Sequence, residues 1–299
     1  MEAPRDILRR KKRVRQRKLI IVAVVTTLAI LLAVIIPLAV ILPKDRQSKG
    51  LSSIVLLPLY SYAEPEAWKP LFEVLDAHAD VNFTIIVNPF NGPGLTQYPE
   101  NNFVTEIGKL NAYENVRLVG YVRTTWATRD LSTVLADIST YSGWSALESF
   151  DDNSTIALAG IFFDETPSIY SPEAAAYLGT INQAVKNASG LLPEKLIIHN
   201  PGTTIDPRLD DLSTDITVIF ESSYQDYRER EAILSSLPKD RLRCSYIIHS
   251  LPSKGFRDLG KFVDSISVQA GALFVTDLDE RYYKSFGSNW ETFVSVMPT

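Results

Sequence analysis

The chain of 299 residues contains one cysteine, three histidines and two methionines. With Cys244 alone, no disulfide can form within the chain, so the core must hold by burial, as a domain of ~250 residues can. Cys244 stands in an apolar stretch and fits a core residue better than a reactive thiol. The few histidines leave little for a metal site, since there is no His-x-His and no other ligand pair at close spacing. A Gly-rich phosphate loop of the dinucleotide or Walker kind is absent, as is a Gly-x-Ser-x-Gly nucleophile motif. There is no internal repeat and no low-complexity tract beyond a basic tail.

Negative charge is scarce at the N-terminus, and charge of either sign is missing just after it. Residues 1–18 hold nine lysines and arginines against Glu2 and Asp6, and Leu19 to Leu42 carries no charge over 24 residues. At ~1.5 Å per residue such a run spans a ~30 Å hydrocarbon core. It is too long for a secretory signal, and Pro43-Lys44-Asp45-Arg46 makes a poor cleavage site. The expectation is a basic cytosolic tail (1–18), a single transmembrane anchor (19–42), a linker (43–52) and one domain (53–299). An uncleaved anchor with the basic flank inside gives a type II membrane protein with its domain lumenal or extracellular; an unusually long signal peptide is the alternative. Nine of the 30 basic and two of the 35 acidic residues precede position 19, which leaves the remainder near −12. Nucleic acid is a poor partner for such a surface. Export fits three glycosylation triplets, at Asn82, Asn153 and Asn187.

Beyond residue 52, apolar β-branched runs alternate with amphipathic ones. The strand-like runs are Ile54–Leu59, Phe83–Asn88, Val116–Val122, Ile156–Phe163, Leu196–His199, Ile216–Phe220, Ser245–His249 and Ala272–Thr276. They are apolar throughout rather than alternating, as parallel strands covered on both faces are. Between them lie stretches of helical period, such as Trp68, Leu71, Phe72, Leu75 and Leu131, Val134, Leu135, Ile138. Ser171-Pro172-Glu173 carries a capping serine, proline at the first helical position and an acid in the first turn. Asp206 to Leu212 is the weakest helix candidate. Eight such units predict a (β/α)8 TIM-like barrel preceded by the transmembrane helix; an open doubly wound sheet is the alternative.

In a barrel, chemistry gathers at the C-terminal ends of the strands. Asp164 and Glu165 close the fourth run and Glu221 the sixth. Burying unpaired acids is costly, so carboxylates at two strand ends point to acid–base or nucleophilic work, as on a sugar. Consecutive residues point to opposite faces of a strand, so Asp164 and Glu165 need not share a role. The same rim holds Tyr60, Asn88, Tyr121, Arg123, His199, Asn200, His249 and Asp277. Aromatic residues gather there too, Tyr62, Phe90, Trp126, Tyr282 and Tyr283 among them. The three glycosylation triplets fall just before strands, on the opposite face. His199, His249, Asp164 and Asp277 could be assembled into a metal site, an alternative with little support in the spacing.

The ordered segments Ser53-Ile54-Val55-Leu56-Leu57-Pro58-Leu59-Tyr60, Ile86-Val87-Asn88-Pro89-Phe90-Asn91-Gly92-Pro93-Gly94, Gly120-Tyr121-Val122, Gly160-Ile161-Phe162-Phe163-Asp164-Glu165 and His199-Asn200-Pro201-Gly202 resemble the spherulin-4-like family. Its membrane-anchored fungal members are similar to glycoside hydrolase family 135. The resemblance implies an endo-acting hydrolase of α-1,4-linked N-acetylgalactosamine in galactosaminogalactan, working without a cofactor in the machinery that makes this exopolysaccharide and its biofilm, with polysaccharide synthase components as partners. It also implies an acidic cluster of Asp164, Glu165 and Glu221. With the strand-end argument, the expected roles are Asp164 as nucleophile, Glu221 as general acid/base and Glu165 as a positioning acid. Tyr60, Asn88, Tyr121, His199 and Asn200 are the expected substrate contacts. A non-catalytic polysaccharide-binding scaffold and a metal-dependent polysaccharide deacetylase are the other classes.

Overall fold

A computed structural model describes residues 50–147, 155–237, 239–252, 258–279 and 281–299. The expected tail (1–18), anchor (19–42), most of the linker and Asn153 lie outside these residues. Among those described, no helix is long and apolar enough to cross a membrane.

Eight parallel strands close into a barrel in chain order: β1 (Ile54–Leu59), β2 (Phe83–Val87), β3 (Val116–Arg123), β4 (Gly160–Asp164), β5 (Leu196–Asn200), β6 (Ile216–Ser223), β7 (Cys244–His249) and β8 (Ala272–Val275). The seam is made by Ile54 and Val55 of β1 against Ala272 and Leu273 of β8. β2 is buried at every position, which is why its sequence is an unbroken apolar run. Among the described residues seven helices surround the strands: α1 (Pro65–Ala77), α2 (Asn101–Leu110), α3 (Leu131–Gly143), α4 (Pro172–Asn187), α5 (Tyr224–Ser236), α6 (Leu259–Ser267) and α7 (Trp290–Ser295). The connection from β5 to β6 carries only a single 3-10 turn, Pro207–Leu209, where the weakest helix was expected. Pro207 allows the first turn there, and Asp206 accepts from the Arg208 N–H at 3.0 Å, but no apolar stripe follows to hold a longer helix on the sheet.

Local sequence signals explain the helix ends. Ser171 Oγ accepts from the Ala174 N–H at 3.0 Å with Pro172 in the first turn, and Leu178, Ile181 and Val185 face inward. In α3, Asp130 caps through the Thr133 N–H, while Val134, Ile138 and Tyr141 are buried. Gly120 in β3 is needed for this packing, because a Cβ there would stand 2.7 Å from the Tyr141 ring. The Tyr141 hydroxyl then donates to the Tyr121 carbonyl at 3.0 Å, fixing the backbone of a residue in the mouth.

β4 starts four residues later than its apolar run. Residues 156–159 are buried, and Ala159 N–H donates to the Leu118 carbonyl at 2.7 Å, but ladder pairing begins at Gly160. Asn82 and Asn187 are exposed, Asn82 just before β2 and Asn187 at the end of α4, both at the end of the barrel remote from the acids.

Candidate active site

Strand alternation sorts the mouth. Asp164 on β4 is paired in register with Asn200 on β5, and the preceding residues Phe163 and His199 pair likewise. Asp164 and Asn200 turn into the barrel mouth, while Phe163 and His199 turn outward, their rings edge to face at 5.8 Å. Tyr121 on β3 lies beside Phe162 inside the barrel and reaches up one layer to Asp164.

Three donors converge on the Asp164 carboxylate. The Tyr121 hydroxyl donates to Oδ2 at 2.7 Å; Asn200 Nδ2 and the Glu165 N–H donate to Oδ1 at 2.8 and 2.9 Å. An ionised carboxylate is an acceptor only, so this ring of donors fits a charged Asp164 held in one orientation. Burial and the nearby Asp164 charge push the Tyr121 hydroxyl pKa upward, so Tyr121 stays a donor.

Glu221 comes from β6, two strands away. A bulge in the β6–β7 ladder between Val218 and Phe220 lies just before it, the kind of irregularity that re-aims a side chain beside a site. Phe220 packs outward on Tyr227 and Tyr246, leaving Glu221 inward. Its Oε2 accepts from Asn200 Nδ2 at 2.6 Å and its Oε1 accepts from the Tyr282 hydroxyl. Glu221 is raised above the ordinary glutamate value, first by burial and also by the Asp164 charge, against the lowering pull of Tyr282 and Asn200.

One Asn200 nitrogen therefore spans both acids. The oxygens it binds cannot be farther apart than its two bond lengths laid end to end, ~5.4 Å. Asn200 is itself fixed, since its Oδ1 accepts from the Gly202 N–H at 3.0 Å and the Gly202 carbonyl in turn accepts from the Glu221 N–H.

Glu165 leaves the strand with φ +52°, a left-handed conformation unusual for a residue with a side chain. Its carbonyl accepts from Thr124 Oγ1 at 2.8 Å and from the Trp126 N–H at 2.6 Å. The turn breaks the alternation and leaves Glu165 on the Tyr121 side, where its charge adds to the upward push on that hydroxyl. Glu165 Oε2 is buried without a hydrogen-bond partner among the described residues. A buried orphan acceptor at a mouth is what a ligand hydroxyl or amide would satisfy.

The remaining expected residues divide. Tyr60 lies in the mouth, edge-on to Tyr121 at 5.2 Å and against Tyr283 at 5.3 Å. Burial, then the Asp164 charge, holds its hydroxyl well above the ordinary tyrosine value. Asn88 is half-buried and its Oδ1 caps the loop by accepting from the Gly92 N–H at 2.9 Å. His199 corrects the expectation of a substrate contact. It is 5% exposed, and its Nε2 meets Asn182 Oδ1 of α4 at 2.8 Å. Asn182 Nδ2 donates to Ser213 and Thr214, which leaves Oδ1 as the acceptor and puts the proton on His199 Nε2. His199 thus fastens β5 to α4 behind the mouth, because its neighbour Asn200 takes the inward face. With His199 turned away, no group of three or more His, Cys, Asp or Glu among the described residues is placed to hold a metal ion.

Tyr282 is the residue whose role the sequence did not disclose. It was visible as an aromatic of the rim, yet its hydroxyl holds Glu221 and its ring stacks on His249 at 5.4 Å and 14°. It sits 61 residues beyond Glu221 in a 3-10 turn, with no motif around it.

Comparison with known proteins gives the chain's relatives. Residues 54–297 match the spherulation-specific family 4. Spherulin-4 of Physarum polycephalum is 29% identical over 230 residues, 75% of this chain and 63% of the relative, so the match spans less than two thirds of that relative's length. The crystal structure of Aspergillus clavatus Sph3 in complex with GalNAc superposes with a TM-score of 0.79 at 42% identity, covering 83% of this chain and 98% of that one. A Ruminococcus gnavus beta-glucuronidase, at 10% identity, a TM-score of 0.50 and 50% of its own length covered, shares the fold alone.

Proposed function

The chain belongs to the spherulation-specific family 4, and from that premise we propose that it is a glycoside hydrolase of the Sph3 type, cutting within α-1,4-linked N-acetylgalactosamine stretches of galactosaminogalactan with retention of configuration. The observation that carries this reading is the Asn200 bridge, which holds one oxygen of Asp164 and one of Glu221 on a single nitrogen, a close approach that favours a retaining over an inverting pair. The GalNAc held by the similar Sph3 structure supports the sugar class.

In this reaction Asp164 attacks the anomeric carbon as the bond to the leaving sugar breaks, and Glu221 gives its proton to the departing oxygen. Water then attacks the glycosyl–Asp164 ester; Glu221 takes its proton and Asp164 leaves as carboxylate. The raised Glu221 suits the first step and the donor ring on Asp164 suits its release. Glu165, with its unpaired oxygen, binds substrate, and Tyr60 and Asn88 line the path.

The basic tail and the apolar 19–42 run support a type II membrane anchor presenting this barrel to the lumen or exterior, where polysaccharide synthase components are partners and Asn82, Asn153 and Asn187 carry glycans. NMR of the first sugar released tests the mechanism: the α anomer forming first supports retention, and the β anomer overturns it. Acetate release that stops with chelator, without new reducing ends, would move the assignment to a deacetylase.

A further inference from the structure

Among the described residues only three aromatic side chains are exposed: Tyr62 (45%), Phe90 (71%) and Trp126 (61%). They sit in the loops that follow β1, β2 and β3, adjacent loops at the end of the barrel where the acids lie. The aromatics on the β6–β8 side, such as Tyr224, Tyr282 and Tyr283, are buried or half-buried. Among the described residues, the exposed aromatic side chains of the mouth thus lie on its β1–β3 side. Exposed large aromatic side chains gathered at the rim of one cleft are a sign of a binding surface.

Trp126 stands out within this rim. Thr125, Trp126 and Ala127 have φ of 49°, 51° and 63°, three consecutive left-handed residues none of which is glycine. Each such residue costs ~1 kcal/mol or more, so the run persists only because its surroundings impose it. They do: the Trp126 N–H donates to the Glu165 carbonyl at 2.6 Å, Thr128 N–H to the Thr125 carbonyl at 2.9 Å and Arg129 N–H to the Thr124 carbonyl at 3.1 Å. The bond to Glu165 ties this turn to a second left-handed residue, next to Asp164. Strain is therefore spent on holding the backbone of an exposed tryptophan against Glu165, next to Asp164.

We propose that Trp126 is the stacking platform of a distal sugar subsite, where a pyranose ring of the polymer, one or more units from the cleaved bond, lies on the indole. This rests on the glycosidase reading above. The chemistry favours a sugar: the C–H face of a pyranose is apolar and flat, the indole offers a matching flat face with only two χ angles to order, and its backbone is already fixed. The occupant follows from continuity, because a chain threaded past Asp164 and Glu221 must leave the mouth across one of its sides.

The chain reports on this itself. Of its four tryptophans, Trp68 and Trp144 are fully buried and Trp290 is 5% exposed, so iodide-accessible fluorescence belongs to Trp126. The experiment uses the full chain carrying Asp164→Asn to prevent turnover, titrated with long galactosaminogalactan fragments and, separately, with GalNAc. Long fragments should shield the fluorescence from iodide and the monosaccharide should not. Adding Trp126→Ala should weaken binding of long fragments about tenfold, while Trp126→Phe restores most of it. Unchanged affinity in Trp126→Ala, with its thermal transition intact, overturns the inference and leaves the glycosidase reading standing. Failure of the Asp164→Asn parent to bind long fragments, with no cleavage by wild type, removes both.

Discussion

Asp164 and Glu221 accept hydrogen bonds from the same atom, Nδ2 of Asn200, which stands on the strand between theirs. An amide nitrogen has two hydrogens and no charge, so it can serve both acids without choosing which keeps the proton. That choice falls to the surroundings. Asp164 has three donors and Glu221 is buried beside a like charge, a difference in environment that the proposed roles of nucleophile and acid require.

Asn200→Ala should therefore lower kcat by about 10²- to 10³-fold, the scale of losing one aligned donor in a water-poor site. Binding of the polymer should fall much less, since the bridge touches the acids rather than distal sugars. Comparable kcat in the variant, at matched folding, would mean that the bridge is incidental.

Tyr282→Phe gives a pH signature. The hydroxyl lowers Glu221, so removing it raises Glu221 further, and the alkaline limb of kcat/KM should move to higher pH. The phenylalanine ring can still stack on His249, so packing alone predicts no movement of that limb.

Glu221→Gln should abolish turnover and stabilise the fold. Glu221 is raised in the folded state, so the folded protein holds a proton that the unfolded chain has released. Stability is then lost as pH rises from the ordinary glutamate value through the folded one. The glutamine variant escapes this loss, and its Tm advantage should open across that window and persist at neutral pH. Equal melting profiles would contradict the burial argument.

His199 works in the opposite direction. Burial lowers it to about 4, so the folded protein excludes a proton that the unfolded chain binds below ~6.5. Stability should fall as pH drops from ~6.5 towards 4, by an amount on the order of 3 kcal/mol. His199→Gln can still reach Asn182, so melting between those pH values should become flatter while neutral-pH kcat stays near wild type.

Much of this was legible before folding. All eight strands were marked by apolar runs, because each is covered on both faces and needs no polar alternation. Asp164 and Glu221 stood out because acids at the ends of such runs need a reason. Three features stayed hidden. Ile156 to Ala159 is as apolar as a strand, but pairing begins only at Gly160, where a Cβ would stand 2.1 Å from the Leu196 carbonyl oxygen. His199 and Asn200 looked equivalent at a strand end, whereas alternation sends one to α4 and the other to the acids. Tyr282 and Trp126 act through loop conformations, left-handed in the case of Trp126, that no local pattern encodes.

Catalysis by the two acids is decided by reducing-end release from purified galactosaminogalactan by the full chain, beside Asp164→Asn and Glu221→Gln, with EDTA throughout. Wild type should release new ends in the presence of chelator and neither variant should release any. A folded wild type that binds the polymer but releases no new ends, or variants that cleave as wild type does, would contradict it.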